Sequence, residues 1–266
     1  MPTHHVPTVT ARQMREVDRV VVEKYGIALP QMMESAGRHL AELARRRFLG
    51  GDLRGRTVLV LAGAGGNGGG GLVSARKLHN WGAYPHVIVE RDRTAFSGVP
   101  ARQLEAVQRL EIPVEPAAAR ATKEPDATGP PREPGRRDPP ADLQSARWPA
   151  VDLVIDALIG YGLGGAPRGA AAGLIRAANE QAAPVLSLDL PSGLDATTGE
   201  AYEPTIRASA TLTLALPKTG LLAPGAAEWT GELYLADIGI PAEVYREPGL
   251  GLEVGPLFAR QEILRL

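Results

Sequence analysis

The chain has 266 residues, of which 44% are hydrophobic and 22% charged, with a net charge of −1. These values are typical of a globular protein, and the near-neutral charge gives no indication of a nucleic-acid or acidic-membrane partner. The absence of cysteine excludes disulfides, thiolate metal sites and a cysteine nucleophile. Because no secretory signal and no apolar run of 18 residues is visible, we expect a cytoplasmic protein without membrane spans.

Helical spacing of apolar residues predicts two helices before the first strand, one over 11–24 and one that starts at Pro30. Beyond them, strands and helices alternate. Strands are predicted at 57–63, 85–92, 151–160, 184–199 (running into a polar turn), 210–220 and 231–241, and helices at 72–82, 100–110 and 170–181. This alternation predicts right-handed βαβ units and a mostly parallel central sheet.

Residues 113–149 interrupt the alternation. The segment holds nine of the chain's 23 prolines and almost no large apolar residues. It cannot bury enough apolar surface to offset the entropy lost on ordering. We therefore predict a mobile, Pro-rich surface insertion within one domain that spans 1–266.

Three of the predicted strands end in loops that carry polar groups or glycines, and such loops meet at one edge of a parallel sheet. The first loop is GAGGNGGGG, 63–71. Glycines allow backbone N–H groups to surround an anion, and the helix that follows adds its positive end. The glycines at 68–71 cost roughly 1 kcal/mol each in a helix interior, so we interpret the run as a ligand-approach loop rather than a flexible turn. Asn67 either coordinates a cation or adopts the left-handed backbone conformation.

The second loop begins at Asp156, which either points into the ligand crevice or caps the next turn. Its glycines allow it to fold over a ligand, with Arg168 as a phosphate contact. The third loop is DLPSG, which contributes Asp189 and Ser192. Asn67, Asp156 and Ser192 form an all-oxygen set suited to a hard cation rather than zinc. Asp189 is left as the candidate general acid or base.

A dinucleotide-binding site is an alternative interpretation of the glycine loop. Gly63, Gly65 and Gly68 satisfy the G-x-G-x-x-G spacing, and Glu90 lies where a ribose-binding acid would be expected. An NAD-dependent dehydrogenase therefore stays open. The motif explains neither the additional glycines nor the two later acidic loops. The G-x-x-x-x-G-K-[ST] motif of nucleotide triphosphatases is missing.

At these residues the chain resembles the YjeF N-terminal domain family, the NAD(P)H-hydrate epimerases. GAGGNGGGGLVSARKL (63–78) is similar to the family pattern GxGNNGGDGLVxARxL, and DALIGYGLGGAPRG (156–169) to DAxxGxGLxGxxR. DLPSGLDATTG (189–199) matches DxPSGxDxxxG, and TLTLALPKTG (211–220) matches TLTxxxPKxG. QMMESAGRHLA (31–41) is similar to the family's MENAG helix.

The resemblance implies a Rossmann-like, three-layer αβα sandwich. It implies an enzyme that interconverts the R and S epimers of hydrated NADH and NADPH, so that a separate dehydratase can restore the cofactor. It also implies a homodimer. It implies a potassium ion on Asn67, Asp156 and Ser192. It also implies substrate contacts from Asp189 and from two loops, comprising Gly66, Asn67, Gly68, Gly69, Gly70, Gly160, Tyr161, Gly162, Leu163, Gly164, Gly165 and Ala166.

Two residues of the family's glycine-loop pattern differ in this chain, and MENAG is MESAG in the helix before it. Gly66 replaces an Asn and Gly70 replaces an Asp, which removes a carboxylate beside the substrate. A catalytically silent ligand-binding or scaffold domain is therefore one alternative, and a nicotinamide-dependent oxidoreductase is another. For catalysis we consider reversible loss of water from C6 of the hydrate, with Asp189 as the acid that protonates the leaving hydroxyl. Lys218 matches the family lysine and either reaches the ligand or lies in a solvated turn.

Overall fold

The computed structural model describes residues 6–120 and 150–266. Within them, eight strands form one sheet in the order β3-β2-β1-β4-β5-β6-β7-β8. Neighbouring strands are parallel except for the last pair, β7 and β8. Their bounds are β1 Thr57–Ala62, β2 Tyr84–Val89, β3 Val114–Pro116, β4 Leu153–Ala157, β5 Val185–Leu188, β6 Ala210–Leu214, β7 Glu232–Ala236 and β8 Ile263–Arg265.

Helices cover both faces of the sheet. Because side chains alternate along a strand, Val58 and Val60 of β1 join one buried cluster, whereas Leu59 and Leu61 join another, with Ile175, on the opposite face. The helices are α1 Ala11–Glu23, α2 Leu29–Leu43 (continued by a π-helical turn, Ala44–Phe48), α3 Gly66–Asn80, α4 Gly98–Arg109, α5 Ala117–Arg120, α6 Gly169–Asn179, α7 Ala227–Thr230 and α8 Ala242–Tyr245, with 3₁₀ turns at Arg93–Ala95 and Thr219–Leu222. No helix among the described residues is long and apolar enough to cross a membrane.

The predicted α/β fold with a mostly parallel sheet and two leading helices is confirmed. The order of strands reverses at β1, which lies between β2 and β4. In doubly wound sheets, ligands bind at this reversal, outside the carboxyl ends of the strands. The loops that follow β1 and β4 are therefore adjacent.

The prediction of a mobile insertion over 113–149 is wrong for its first residues, which form a strand and a short helix. β3 pairs in parallel with β2, and α5 follows it directly. The strand is short and lies at the edge of the sheet, with Val114 packed against the main cluster, so little apolar surface is needed to hold it. The rest of the predicted insertion, 121–149, lies outside the described residues. The antiparallel edge strand β8 was not predicted, because three residues give no readable alternation.

The sequence predicted that the glycine run forms a loop before the helix, and this prediction is wrong. The helix α3 already begins at Gly66. A Cβ atom on Gly68 would lie 1.7 Å from the carbonyl oxygen of Gly63, and one on Gly71 would lie 2.5 Å from Cβ of Ala157. A Cβ atom on Gly69 would lie 2.5 Å from a sulfur atom of α2. The missing side chains thus allow α3 to pack closely against the sheet and α2.

Candidate functional site

A cavity of about 460 Å³ lies where the carboxyl ends of β1, β4, β5 and β6 meet α1 and α2. This volume is in the range of small-molecule sites. The predicted substrate-contacting residues that line it are Gly66, Asn67, Gly70, Gly160, Tyr161, Gly162 and Asp189. Gly68 and Gly69 are instead buried in the packing of α3, and Leu163, Gly164, Gly165 and Ala166 are not part of the cavity wall.

Asp189 follows β5 directly and lies in the cavity wall. Its backbone is left-handed, with φ of 67°, a conformation that Asp tolerates better than most residues. Its N–H donates to the carbonyl of Leu212 at 2.8 Å, which ties this turn to β6. One carboxylate oxygen accepts a hydrogen bond from Nζ of Lys218, and the other accepts from the N–H of Tyr161 at 3.1 Å. The carboxylate is therefore fixed by two donors from two other loops.

Lys218 is buried, with 1% of its surface exposed, so the solvated-turn alternative is wrong. Besides Asp189, its ammonium group donates to the carbonyl of Leu214 at 2.9 Å and contacts Oγ1 of Thr213 at 3.4 Å. These three acceptors match the three donors of an ammonium group. Val9 forms a parallel bridge with Lys218, so the segment before α1 helps to hold the lysine in place.

Asp156 is the second-last residue of β4 and is fully buried. One carboxylate oxygen accepts from Oγ of Ser187 at 2.8 Å and from the N–H of Ser192 at 2.9 Å, and the other accepts from Oγ of Ser192 at 2.6 Å. The N–H of Leu158, 3.3 Å away, completes a cap on the next turn, and Asp156 is not part of the cavity wall. The capping alternative therefore describes its position. Burial raises the pKa of Asp156, and the hydrogen bonds offset part of this rise.

Asn67 and Asp189 meet at Gly160. A Cβ atom on Gly160 would lie 3.0 Å from Oδ2 of Asp189 and 3.3 Å from Oδ1 of Asn67, so a side chain here would crowd both groups. The Nδ2 atom of Asn67 is buried and has no hydrogen-bond partner in the described part of the chain. Ser192 reaches the neighbouring residue, since its Oγ accepts from the N–H of Ile159 at 2.9 Å. The predicted cation residues therefore lie around the 158–160 turn.

Sequence reasoning missed the part of the wall that α1 and α2 provide. Its residues are Met14, Arg15, Asp18, Leu29, Met32, Met33 and Ala36. The hydroxyl of Tyr161 donates a hydrogen bond to the carboxylate of Asp18. Burial raises the pKa of Asp18, and burial together with this carboxylate raises the pKa of Tyr161. A signal was present: Asp18 lies four residues after Met14 and three before Val21, within the apolar stripe of α1.

Fold and site together define a doubly wound α/β protein with a small-molecule cavity at the reversal point of its strand order. The model of the YjeF-related protein N-terminus family matches residues 29–220. The chain belongs to this family.

Named relatives extend the match beyond the family model. An NAD(P)H-hydrate epimerase of Dehalogenimonas lykanthroporepellens is 44% identical over 92% of this chain and 87% of its own length. One of Rhodopirellula baltica is 33% identical over 92% of this chain and 90% of its own. A bifunctional NAD(P)H-hydrate repair enzyme, Nnr, of Moorella thermoacetica is 35% identical over 89% of this chain but only 41% of its own length.

Among solved structures, the crystal structure of the yeast protein YNL200c matches with a TM-score of 0.72. The match covers 98% of this chain and 100% of the yeast chain, at 22% sequence identity. At that identity the likeness concerns the fold alone.

Proposed function

We infer that this chain is an NAD(P)H-hydrate epimerase, which interconverts the R and S forms of hydrated NADH and NADPH. The observation that carries the inference is the cavity-wall carboxylate of Asp189, fixed by Lys218 and the N–H of Tyr161. It occurs in a chain 44% identical to a relative named for this activity. The hydrate bears its hydroxyl on C6, beside the ring nitrogen, and epimerisation requires that this carbon lose and regain its configuration.

Reversible loss of water from C6 leaves a positive charge shared between C6 and the ring nitrogen. A fixed carboxylate stabilises such a charge without reorganising. The side chain of Asp189 accepts hydrogen bonds from an ammonium group and from a backbone N–H group. A pair of donors such as this one holds a carboxylate, which has only acceptor oxygens. We therefore assign Asp189 to stabilising the cationic ring, rather than to protonating the leaving hydroxyl as the sequence suggested.

The test is a direct assay of the purified full chain on R-NADHX, coupled to an S-specific dehydratase so that NADH absorbance reports epimerisation. We expect the wild-type chain to raise the rate far above the uncatalysed reaction. The alternative function, a silent ligand-binding domain, is suggested by Gly70 in the cavity wall, where the family has Asp. Binding of the hydrate without epimerisation by a folded chain would establish that alternative.

We propose a potassium ion held by oxygens of Asn67, Asp156 and Ser192. The carboxylate of Asp156 is fully buried, and no cationic side chain of the described residues pairs with it. A buried charge without a counter-charge is costly, so the site fits a cation. Oxygen donors match the preference of a hard cation. When bound, the ion would add positive charge beside the cavity.

The melting temperature in KCl and in choline chloride at equal ionic strength tests this proposal. We expect K⁺ to stabilise the wild type by about 2–3 kcal/mol at a hundredfold excess over its Kd. Asp156→Asn should lose this K⁺-specific gain. Asp52→Asn, at an exposed ion pair with Arg54, should keep it. Equal K⁺ effects in wild type and Asp156→Asn would reject the site.

We also propose a homodimer in the cytoplasm and functional coupling to a separate dehydratase. Relatives that are named bifunctional NAD(P)H-hydrate repair enzymes support the coupling. Light scattering at several concentrations would measure the oligomeric state. Reconstitution of NADH recovery from mixed epimers, with and without this chain, would measure the coupling.

A further inference from the structure

Asp18 is a titratable group of the cavity that the mechanism above does not use. It lies on α1 and lines the same cavity as Asp189. Within the described residues, its carboxylate has one hydrogen bond, which it accepts from the hydroxyl of Tyr161. The backbone N–H of the same tyrosine donates to Asp189. Tyr161 thus connects two carboxyl groups, and only Asp189 has the ammonium group of Lys218 as a direct partner.

We propose that Asp18 is the general acid of this site and donates the proton that the leaving C6 hydroxyl takes, while Asp189 stays a carboxylate. The proposal rests on the epimerase function inferred above. It divides the two roles between two carboxyl groups with different partners. In enzymes with paired carboxyl groups, such differences in surroundings set which group is the acid.

The charges around Asp18 agree with this division. Burial raises the pKa of Asp18 and the nearby charge of Asp189 raises it further, while the Tyr161 hydroxyl and the charge of Lys218 act in the opposite direction; the net shift is upward. Among the described residues, Arg15 on the same helix also lies near this pair and lowers the pKa of Tyr161.

Burial raises the pKa of Tyr245 of α8, and the charges of Asp237 and Asp18 add to this rise. Within the described residues, Asp18 forms no salt bridge with an arginine or a lysine. The surroundings of Asp18 therefore favour a carboxyl group that keeps its proton to higher pH than an exposed aspartate.

The proton balance closes over the cycle. Asp18 gives its proton to the C6 hydroxyl, the C6–O bond breaks with its electron pair on oxygen, and water leaves. The ring nitrogen shares its electron pair with C6, and Asp189 stabilises the resulting positive charge. Water then adds to the opposite face of C6, the electron pair returns to nitrogen, and the proton released restores Asp18 through solvent. No oxidant, reductant or further reactant is needed.

The test is Asp18→Asn, which keeps an oxygen for the Tyr161 hydroxyl but cannot act as an acid. We expect kcat on R-NADHX to fall by about 10²–10⁴-fold with KM little changed, as for loss of a general acid. In the wild type, kcat should fall as the pH rises above the pKa of Asp18, and the variant should lack this limb. Glu23→Gln, an exposed change on the same helix, should keep the wild-type rate and profile.

A second variant keeps the proposal testable if Asp18→Asn does not fold. Tyr161→Phe removes a hydrogen bond that lowers the pKa of Asp18, so the alkaline limb should move to higher pH. An unmoved limb in this variant, or wild-type kcat and profile in a folded Asp18→Asn, would overturn the assignment. An inactive wild-type chain would instead reject the epimerase function itself.

Discussion

Asp189 and Lys218 form a buried ion pair whose two members come from loops after different strands. Both side chains are at most 5% exposed, and the lysine has no other charged partner in the described part of the chain. Removing one member of such a pair leaves an uncompensated buried charge, which is more harmful than losing both. The pair therefore links the stability of the fold to the group that we assign to catalysis.

At this scale we predict the outcome of a double-mutant cycle. Asp189→Asn and Lys218→Met should each lower the free energy of unfolding by about 3–5 kcal/mol, and the double variant by clearly less than their sum. Urea denaturation measures all four chains. Arg54→Met, at an exposed pair, should cost at most about 1 kcal/mol. Additive losses at 189 and 218 would show that the pair contributes no coupling.

Single residues of the cavity show how much of the site can be predicted from the sequence. Asp189, Asn67 and Gly160, which line the cavity, were predicted at the site because they lie in motifs that resemble those of the family. The partnership of Lys218 with Asp189 and the place of Asp18 were missed. Both depend on contacts between distant parts of the chain, 29 residues apart for the ion pair and 143 for Asp18 and Tyr161. Local sequence patterns do not show which residues so far apart along the chain come into contact.

Among the elements, α3 is the one whose start was misjudged. Its glycines are poor helix formers, so local propensity placed the helix after them. Packing decides otherwise, because α3 passes so close to β1 and β4 that side chains at 68 and 71 have no room. The longer strands β1, β2 and β4 to β7 and the helices α1, α2, α4 and α6 were predicted, since their apolar periodicity agrees with their packing, whereas the short strands β3 and β8 were not.

Alanine substitutions along α3 test this explanation. Gly68→Ala should lower the free energy of unfolding by about 1–3 kcal/mol or more, because its Cβ would overlap a backbone carbonyl. Gly66→Ala, where no atom lies within 4 Å of the added Cβ, should be neutral or stabilising by up to about 1 kcal/mol. Thermal or urea unfolding gives both values. Similar effects at the two positions would contradict the packing argument.

The whole molecule extends beyond the part that the family model matches. α1 lies before residue 29, and β7 and β8 lie after residue 220. A buried cluster joins the two ends, with Val17 and Val21 from α1 packed in the same group as Val244 and Tyr245 from α8. Both ends are therefore structural parts of the protein, and α1 also supplies cavity wall.

We accordingly predict that a fragment of residues 29–220 does not fold stably. It would expose the edge of β6, which β7 normally covers, and the apolar surface of the shared cluster. Circular dichroism and the cooperativity of thermal unfolding measure this against the full chain. A fragment that unfolds cooperatively and epimerises the hydrate would refute the prediction.

The burial of Lys218 also offers a chemical gauge of motion. An amine-acylating reagent reaches an ammonium group only when solvent does, and 1% of this residue is exposed, whereas 61% of the Lys24 side chain is. The rate of labelling at Lys218 relative to Lys24, followed by mass spectrometry, therefore reports how often Lys218 becomes accessible to the reagent. A bound hydrate that closes the cavity should slow the labelling of Lys218 and leave that of Lys24 as it was.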